Sequence, residues 1–493
     1  MNPETAVSPE TSADSPPRAA RWLRSLARHL AKIFFRRLEV VGEEKIPAAG
    51  PVLVVANHVN SLMDAVLLAA VAPRMPRLLG KSTLWELSIL RPLLRWAQVI
   101  PVYRRQDGVD TSRNQETFSA SYEALRDGGL IALFPEGKSH SEPALQPLKS
   151  GAARIALGAE ERFGPLNIQL IPVGLTFDAK HRFRSRALIQ VGDPILLRET
   201  LDSMPAVPAE IADSGPGTSG GSEEDSIPEE FRAAQHLTTL LDDGLRRVTV
   251  NFDSWDQAQL LEQAAELWSQ PQRPLPGSLP LAQRAEMLRA FIRGHRHLAA
   301  AEPERVEATT RAVREYDELL AACGLRDDQV GARYSRWAVV RYLLHTAATA
   351  CLRLPVAVLG TVLNWPPYRA VRLLATRLAE KLDVQSTYKL FASLIVFPLT
   401  WLLETVAVGV FFDWRWAPLV LLLAPPSGWV ALRFHEQRGR FTTEARAFLR
   451  LMTSERQREE LQRRRLQIQQ DVDALVERWR ELEDAPAPIA QEA

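Results

Sequence analysis

Pro51-Val52-Leu53-Val54-Val55-Ala56, running directly into Asn57-His58-Val59-Asn60-Ser61-Leu62-Met63-Asp64, is the stretch on which the fold turns. The first six residues form a short apolar run rich in valine, which reads as a buried strand. Its end presents His58 in a cleft. An imidazole is the natural general base near neutral pH, and a carboxylate a few residues on can fix its tautomer and stabilise the imidazolium. Asp64 suits that second role. A His and an Asp six positions apart are common by chance, so their neighbours decide the reading.

Working outward, Ile131–Phe134, Ile168–Val173 and Ala187–Val191 are further short apolar runs, separated by helical patterns across residues 38–202. That rhythm predicts an α/β domain. Three of its runs lead into chemistry-bearing segments. Ile100-Pro101-Val102-Tyr103-Arg104-Arg105 sets two guanidinium groups on a loop, and arginine grips phosphate bidentately. Sequence cannot rank Arg104 against Arg105. Phe134-Pro135-Glu136-Gly137-Lys138-Ser139-His140 follows another strand, and Gly137 would let backbone donors approach an anion. His140 reads better as a hydrogen-bonded structural residue than as a second base. Lys149, in Pro147-Leu148-Lys149-Ser150-Gly151-Ala152, fits either an active-site cation or a solvated lysine at a helix start. Leu170-Ile171-Pro172-Val173-Gly174-Leu175 reads as core, with Pro172 as a candidate pocket wall.

These four blocks, in this order, resemble the phospholipid and glycerol acyltransferase family of glycerol-3-phosphate and lysophosphatidate acyltransferases. The likeness covers about residues 40–200, under half of the chain. The family separates its His and Asp by four residues, whereas five intervene here. That variant, with Asn before the His and Ser-His in the third block, looks like the fungal-type glycerol-3-phosphate and dihydroxyacetone-phosphate acyltransferases. Gln98 stands where the family's second block has Gly, and Tyr103 replaces its acidic residue.

The resemblance implies an α/β, mixed-sheet catalytic domain with His58 as general base and Asp64 as its orienting carboxylate. Arg104, Glu136, Gly137 and Ser139 would shape acceptor binding, and Lys81 in Gly80-Lys81-Ser82 matches a basic position between the first two blocks. The implied partners are a glycerol 3-phosphate or 1-acylglycerol 3-phosphate acceptor and an acyl thioester donor, acyl-CoA or acyl carrier protein, as co-substrate. No cofactor is implied. The Gly-x-Ser-x-Gly spacing at Gly217–Gly221 falls in a Pro- and Gly-rich segment and not at a strand-to-helix elbow, and the chain carries no Walker loop or metal-ligand cluster. The competing reading is a non-catalytic lipid-binding or scaffolding protein on the same fold.

At 493 residues the chain has room for about three structural units. Residues 1–20 read as a disordered tail without an apolar leader segment. Residues 21–37 form a basic amphipathic pattern: seven Lys and Arg and no acid from Arg18 to Arg37, interleaved with Trp22, Leu26, Leu30 and Ile33. Such a helix suits an anionic lipid surface or simply the cover of a domain. Residues 203–228 read as a flexible linker, 229–336 as a helical region and 337–435 as membrane-associated. Phe391–Phe412 is 22 residues long with one charge, Glu404, and Trp416–Leu432 adds 17 uncharged residues, so 391–432 predicts a transmembrane helical hairpin. Lys389 before it and Arg433, Arg438 and Arg440 after it put both flanks, and the catalytic domain, on the cytoplasmic side. Trp337–Leu363 either lies at the interface or re-enters.

Residues 436–493 form a C-terminal helix and tail, where Leu461, Ile468, Val472, Leu475, Trp479 and Leu482 suit self-association or packing on the protein itself. Sixty Lys and Arg against 59 Asp and Glu leave +1, so overall charge gives no case for nucleic-acid binding. Cys323 and Cys351 lack disulfide-framework or zinc spacing.

Overall fold

The computed structural model describes residues 17–86, 91–180, 182–203, 229–269, 279–330, 336–378, 382–453 and 455–484. Most of the expected tail and almost all of the expected linker lie outside them. Two compact units emerge, Met1–Asn251 with Lys381–Thr387, and Phe252–Glu380 with Tyr388–Ala493.

The first unit opens with α1 (Pro17–Phe34), β1 (Arg37–Val41), β2 (Val52–Ala56), α2 (Leu62–Val71), β3 (Arg77–Lys81), α3 (Arg91–Trp96) and β4 (Ile100–Val102). α4 (Asn114–Arg126), β5 (Leu130–Leu133), α5 (Gly151–Phe163) and β6 (Gln169–Phe177) follow, then β7 (Arg186–Val191), β8 (Ile195–Leu196), α6 (Leu197–Asp202) and α7 (Glu229–Val248). The sheet runs β1-β7-β6-β2-β5-β3-β4, with β8 on β6. β6, β2, β5, β3 and β4 are parallel neighbours, whereas β7 and β8 run antiparallel to β6. It is the mixed α/β sheet the sequence led us to expect.

β2 is central because it is apolar on both faces. Leu53 and Val55 pack with Leu125, Ile131, Ile155 and Leu170 on one side, and Val54 lies among Leu68, Val71 and Ala132 on the other. Both layers bury aliphatic side chains worth roughly 1.5–3 kcal/mol each. α7 belongs here too, although the sequence grouped it with the later helices. Leu237, Leu241, Leu245 and Val248 fall on one helical face and join the sheet's core. Gly174 permits the contact: a Cβ there would lie 2.1 Å from the Val248 carbonyl oxygen. Pro172 abuts Gly192 and Gly244 in the same packing, so it is core and not a pocket wall.

The amphipathic helix begins at Pro17, earlier than the pattern suggested, and ends at Phe34 before β1. Leu23, Ala27, Ala31 and Phe34 are buried. Arg24 and Arg28 donate to the Ala72 and Ala70 carbonyls at 2.5 and 2.9 Å, holding the C-terminal end of α2. One face of α1 therefore covers the domain, while Trp22 and Ile33 stay exposed.

The second unit contains α8 (Trp255–Ser269), α9 (Leu281–Ala301), α10 (Pro303–Cys323), α11 (Asp327–Val330), α12 (Arg336–Leu378), the greater part of α13 (Leu382–Phe411), α14 (Ala417–Thr453) and α15 (Glu455–Asp484). Leu461, Ile468 and Val472 of α15 are buried with Leu260, Leu267, Val313 and Tyr316. The C-terminal apolar stripe thus packs on its own chain. Tyr316 and Arg465 both donate to Asp327, at 2.8 and 2.9 Å.

Val384–Phe411 and Ala417–Glu436, of 28 and 20 residues, are long and apolar enough to cross a membrane. Their side chains are largely uncovered, and Phe412 in the connecting turn is 82% exposed. Trp337–Leu363 is part of the 43-residue α12. It packs on α14 through small residues: Gly360 meets the Ser427 carbonyl, and Asn364 donates to Ala424 O at 3.2 Å and accepts from Trp401 Nε1 at 3.0 Å.

Candidate active site

Four parallel strands deliver the expected site residues from the same edge of the sheet. His58 follows β2, Phe134 to Ser139 follow β5, Lys81 ends β3 and Arg104 follows β4, and the register sets Lys81 beside Val102. Carboxyl ends of parallel strands are where open α/β sheets place their ligands.

His58 Nδ1 lies 2.9 Å from Asp64 Oδ2. The fifth intervening residue is absorbed in the Val59–Ser61 turn, where Ser61 adopts φ 48° and ψ −127°. That conformation is rare for a residue with a Cβ. It brings Asp64, in the first turn of α2, back to the imidazole. Asn60 N also donates to Asp64 Oδ2, at 2.7 Å. Asp64 is fully buried, and burial pushes its carboxyl above the ordinary range, opposed by His58 and by the Asn60 and Val59 amides. His58 stacks on Phe134 with centroids 4.0 Å apart and planes at 9°. With Nδ1 held, Nε2 is the nitrogen left for a substrate.

Glu136 is sealed rather than presented. Oε1 accepts from His58 N at 2.6 Å and Oε2 from Gln146 N at 2.9 Å and from His140 Nε2. His140 Nδ1 accepts from Glu142 N at 3.1 Å, so its proton resides on Nε2, facing Glu136. Glu136 therefore shapes the site by tying the β5 turn to the His58 backbone.

Gly137 has φ 73°, a left-handed conformation that favours glycine. Its carbonyl accepts from Arg104 Nη1 at 2.9 Å, and a Cβ would lie 2.6 Å from Lys149 Nζ. Arg104 also grips Asp107 at 2.8 and 3.1 Å. Two cations thus converge on one turn, and Lys149, exposed just before α5, combines a place beside Gly137 with the solvated helix-start position. Ser139 is half-buried between Gly137 and His140, and Lys81 is exposed on the same sheet edge. Gln98 takes φ 49°, the backbone conformation for which glycine is preferred at that position.

Sequence reasoning missed the residues that hold the His58 turn from outside. Lys180 donates to His140 O at 3.2 Å, and its own carbonyl accepts from Asn60 Nδ2 at 3.3 Å and Ser386 Oγ at 2.6 Å. Leu62 N, at the start of α2, donates to Thr387 Oγ1 at 3.3 Å. No local pattern marks these contacts, because Ser386 and Thr387 come from the first turns of α13, more than three hundred residues downstream. Asn57, noted only as a neighbour of His58, pairs both ways with Leu175 of β6, at 3.1 and 2.7 Å.

With this geometry in view, comparison with known proteins is informative. Residues 21–176 match the family model described as Acyltransferase. Residues 262–480 match a second model, described as the Glycerol-3-phosphate acyltransferase 2 C-terminal domain. The first match thus begins within α1 and stops in β6, and the second takes in most of the helical region and the hairpin together. Glycerol-3-phosphate O-acyltransferase 2 of Saccharomyces cerevisiae is 26% identical over 313 residues, 59% of this chain and 38% of that protein. Glycerol-3-phosphate O-acyltransferase 1 of the same yeast is 24% identical over 303 residues, 61% of this chain and 35% of that protein. The human 1-acyl-sn-glycerol-3-phosphate acyltransferase alpha is 28% identical over 145 residues, 29% of this chain and 50% of that protein. The chain therefore spans about two-fifths of the length of the yeast relatives it matches. The likeness to fungal-type glycerol-phosphate acyltransferases is borne out. The crystal structure of the 1-acyl-sn-glycerophosphate acyltransferase of Thermotoga maritima aligns with TM-score 0.31 and 16% identity, covering 46% of this chain and 79% of that one.

Proposed function

We propose that the protein transfers an acyl group from a thioester to a hydroxyl of a glycerol phosphate at a membrane surface, in phospholipid synthesis. The observation that carries this reading is the His58–Asp64 pair, with Nδ1 engaged, beside a turn where Arg104 and Lys149 converge. His58 Nε2 takes the proton of the acceptor hydroxyl as its oxygen attacks the thioester carbonyl. Asp64 holds the Nδ1 proton and balances the imidazolium that results. Collapse of the tetrahedral intermediate breaks the C–S bond, and the departing thiolate receives the proton from His58. The acceptor's phosphate meets Arg104 and Lys149, with Lys81 at the rim. Glycerol 3-phosphate is the favoured acceptor, because the yeast proteins matched over three-fifths of this chain carry that substrate in their names. 1-Acylglycerol 3-phosphate comes second, and the donor is acyl-CoA or acyl carrier protein.

The two apolar helices hold the domain at the bilayer, and the basic flanks Arg433, Arg438 and Arg440 favour the cytoplasmic face. The test is thiol release from palmitoyl-CoA, and from palmitoyl acyl carrier protein, by detergent-solubilised wild type and His58→Ala. Glycerol 3-phosphate, dihydroxyacetone phosphate and 1-acylglycerol 3-phosphate are supplied separately, with products identified by mass. His58-dependent acylation of glycerol 3-phosphate is expected. Acylation of 1-acylglycerol 3-phosphate alone would transfer the assignment to that acceptor, and no turnover with either donor would favour the non-catalytic reading.

A further inference from the structure

The apolar stripe of α15 divides in two. Leu461 and Ile468 bury themselves against α8 and α10, but from Val472 onward the stripe, with Leu475 and Trp479, lines a cavity of about 540 Å³. The void lies inside the second unit, among α8, α9, α10 and α15. Its walls are largely apolar, with Leu261, Trp268, Phe291 and Val313 opposite Leu475 and Trp479. The cavity is partly open to solvent, so an apolar ligand seated on its walls would remove apolar surface from water, which favours binding.

The shape says more than the volume. Lining positions recur on α9 at Gln283, Met287, Ala290, Gly294 and Leu298, one helical turn after another. From Gln283 to Leu298 fifteen steps of 1.5 Å make that wall about 22 Å long. A groove that long with mostly apolar walls matches an extended alkyl chain better than a compact ring system. Gly294 keeps the channel open at its waist, where a Cβ would meet Trp479 Cδ2 at 3.1 Å. Polar residues are the minority of its lining, with Glu286, His295 and Arg480 among them, and His295 Nδ1 is buried without a hydrogen-bond partner.

We infer that the helical unit holds a second lipid site, outside residues 21–176, that takes the alkyl tail of a long-chain fatty acid or fatty acyl thioester. The inference rests on the cavity and not on the reaction proposed above. The full chain in lipid nanodiscs would be labelled with palmitate carrying a terminal diazirine and, in a second arm, with the corresponding acyl-CoA. Labelled peptides would be mapped by mass spectrometry. Label is expected on peptides containing Leu260–Trp268, Gln283–Leu298 and Leu475–Trp479, and the arm that labels more strongly identifies the head group. Ala290→Trp, which fills the channel, should cut that labelling at least tenfold and leave label on α13 and α14 unchanged. If Ala290→Trp does not fold, excess unlabelled palmitate should suppress the same peptides in wild type by the same factor. His58→Ala should label as wild type does, so the outcome stands whatever becomes of the transfer reaction. Absence of label from these three segments would mean that the protein itself closes the channel. Label that neither Ala290→Trp nor competitor reduces would mean non-specific partition. Either result overturns the inference.

Discussion

Two histidine–carboxylate pairs stand side by side at the ends of β2 and β5, and they are built for opposite purposes. The His58 side chain is 20% exposed, and its Nδ1 is engaged by Asp64. The His140 side chain is 6% exposed and both of its ring nitrogens are occupied, one by the Glu142 amide and one by Glu136. The chemistry of the pairs is the same. What differs is whether a nitrogen is left over for something outside the protein, and that separates a group able to move a substrate's proton from one that fixes a turn.

The widest separation comes from removing each histidine in turn. His58→Ala should lower turnover by about 10²- to 10⁴-fold, the usual contribution of a general base, with folding intact. His140→Ala should act on stability instead. It strands the buried Glu136 carboxylate, and breaking a buried pair costs about 3–5 kcal/mol. Denaturant melts of both variants beside their acylation rates check this. A His140→Ala protein of normal stability that turns over as slowly as His58→Ala would erase the distinction.

Asp64→Asn sharpens the same contrast from the carboxylate side. Asparagine can occupy the space but cannot balance an imidazolium, so kcat should fall while acceptor KM changes little. Stability should move the other way. Burial raises the Asp64 carboxyl above its ordinary value of 3.8, so the folded protein binds this proton more tightly than the unfolded chain. Ionised Asp64 therefore costs stability above its raised pKa, and the cost disappears as pH falls toward 3.8. The Asp64→Asn protein is expected to melt higher than wild type at neutral pH, with the difference shrinking on acidification. A difference that grows in acid would show that the pairing with His58 outweighs burial.

Sequence disclosed the first pair and only half of the second, for physical reasons. β2 is apolar without interruption, and strand ends are where a cleft forms, so His58 and Asp64 were legible from spacing and residue type. His140 was legible as structural. Glu136 was expected to meet the acceptor, yet its carboxylate is consumed by three donors that are close only in the fold. Lys149 was undecidable because its neighbour Gly137 is brought to it by a turn. The apolar face of α7 could be seen in the sequence, but nothing local says which core an amphipathic helix joins. Gly174, which admits it, looks like any other strand glycine until Val248 is placed against it.

A smaller effect is expected at the cations. Arg104 is already neutralised by Asp107 and tied to Gly137 O, so it serves as a preset clamp and not a free charge. Arg104→Ala should raise KM for glycerol 3-phosphate by about 10- to 100-fold, in line with roughly 1.5–3 kcal/mol for a hydrogen bond to a charged group. Donor KM should hold. Steady-state kinetics with each substrate varied in turn distinguish this from general damage, which would raise both.

The smallest effect, and the one that reaches furthest along the chain, concerns Thr387. The residue before α2, Ser61, makes no side-chain cap, and its backbone is strained. The first free amide of that helix, Leu62 N, is satisfied by the Thr387 hydroxyl from the start of α13. A helix whose first turn carries Asp64 is thus capped by a residue at the foot of a candidate membrane span. Thr387→Val keeps the shape and removes the acceptor, which should cost about 0.5–2 kcal/mol of capping energy. It should loosen Asp64 enough to lower kcat a few-fold without altering either KM, and Thr387→Ser, which restores the hydroxyl, should recover the rate. The His140 ring has no such remote tie, since its two partners, Glu136 and the Glu142 amide, lie within the β5 turn. The same loss in Thr387→Ser as in Thr387→Val would assign the effect to packing of the methyl group and not to the hydroxyl that caps α2.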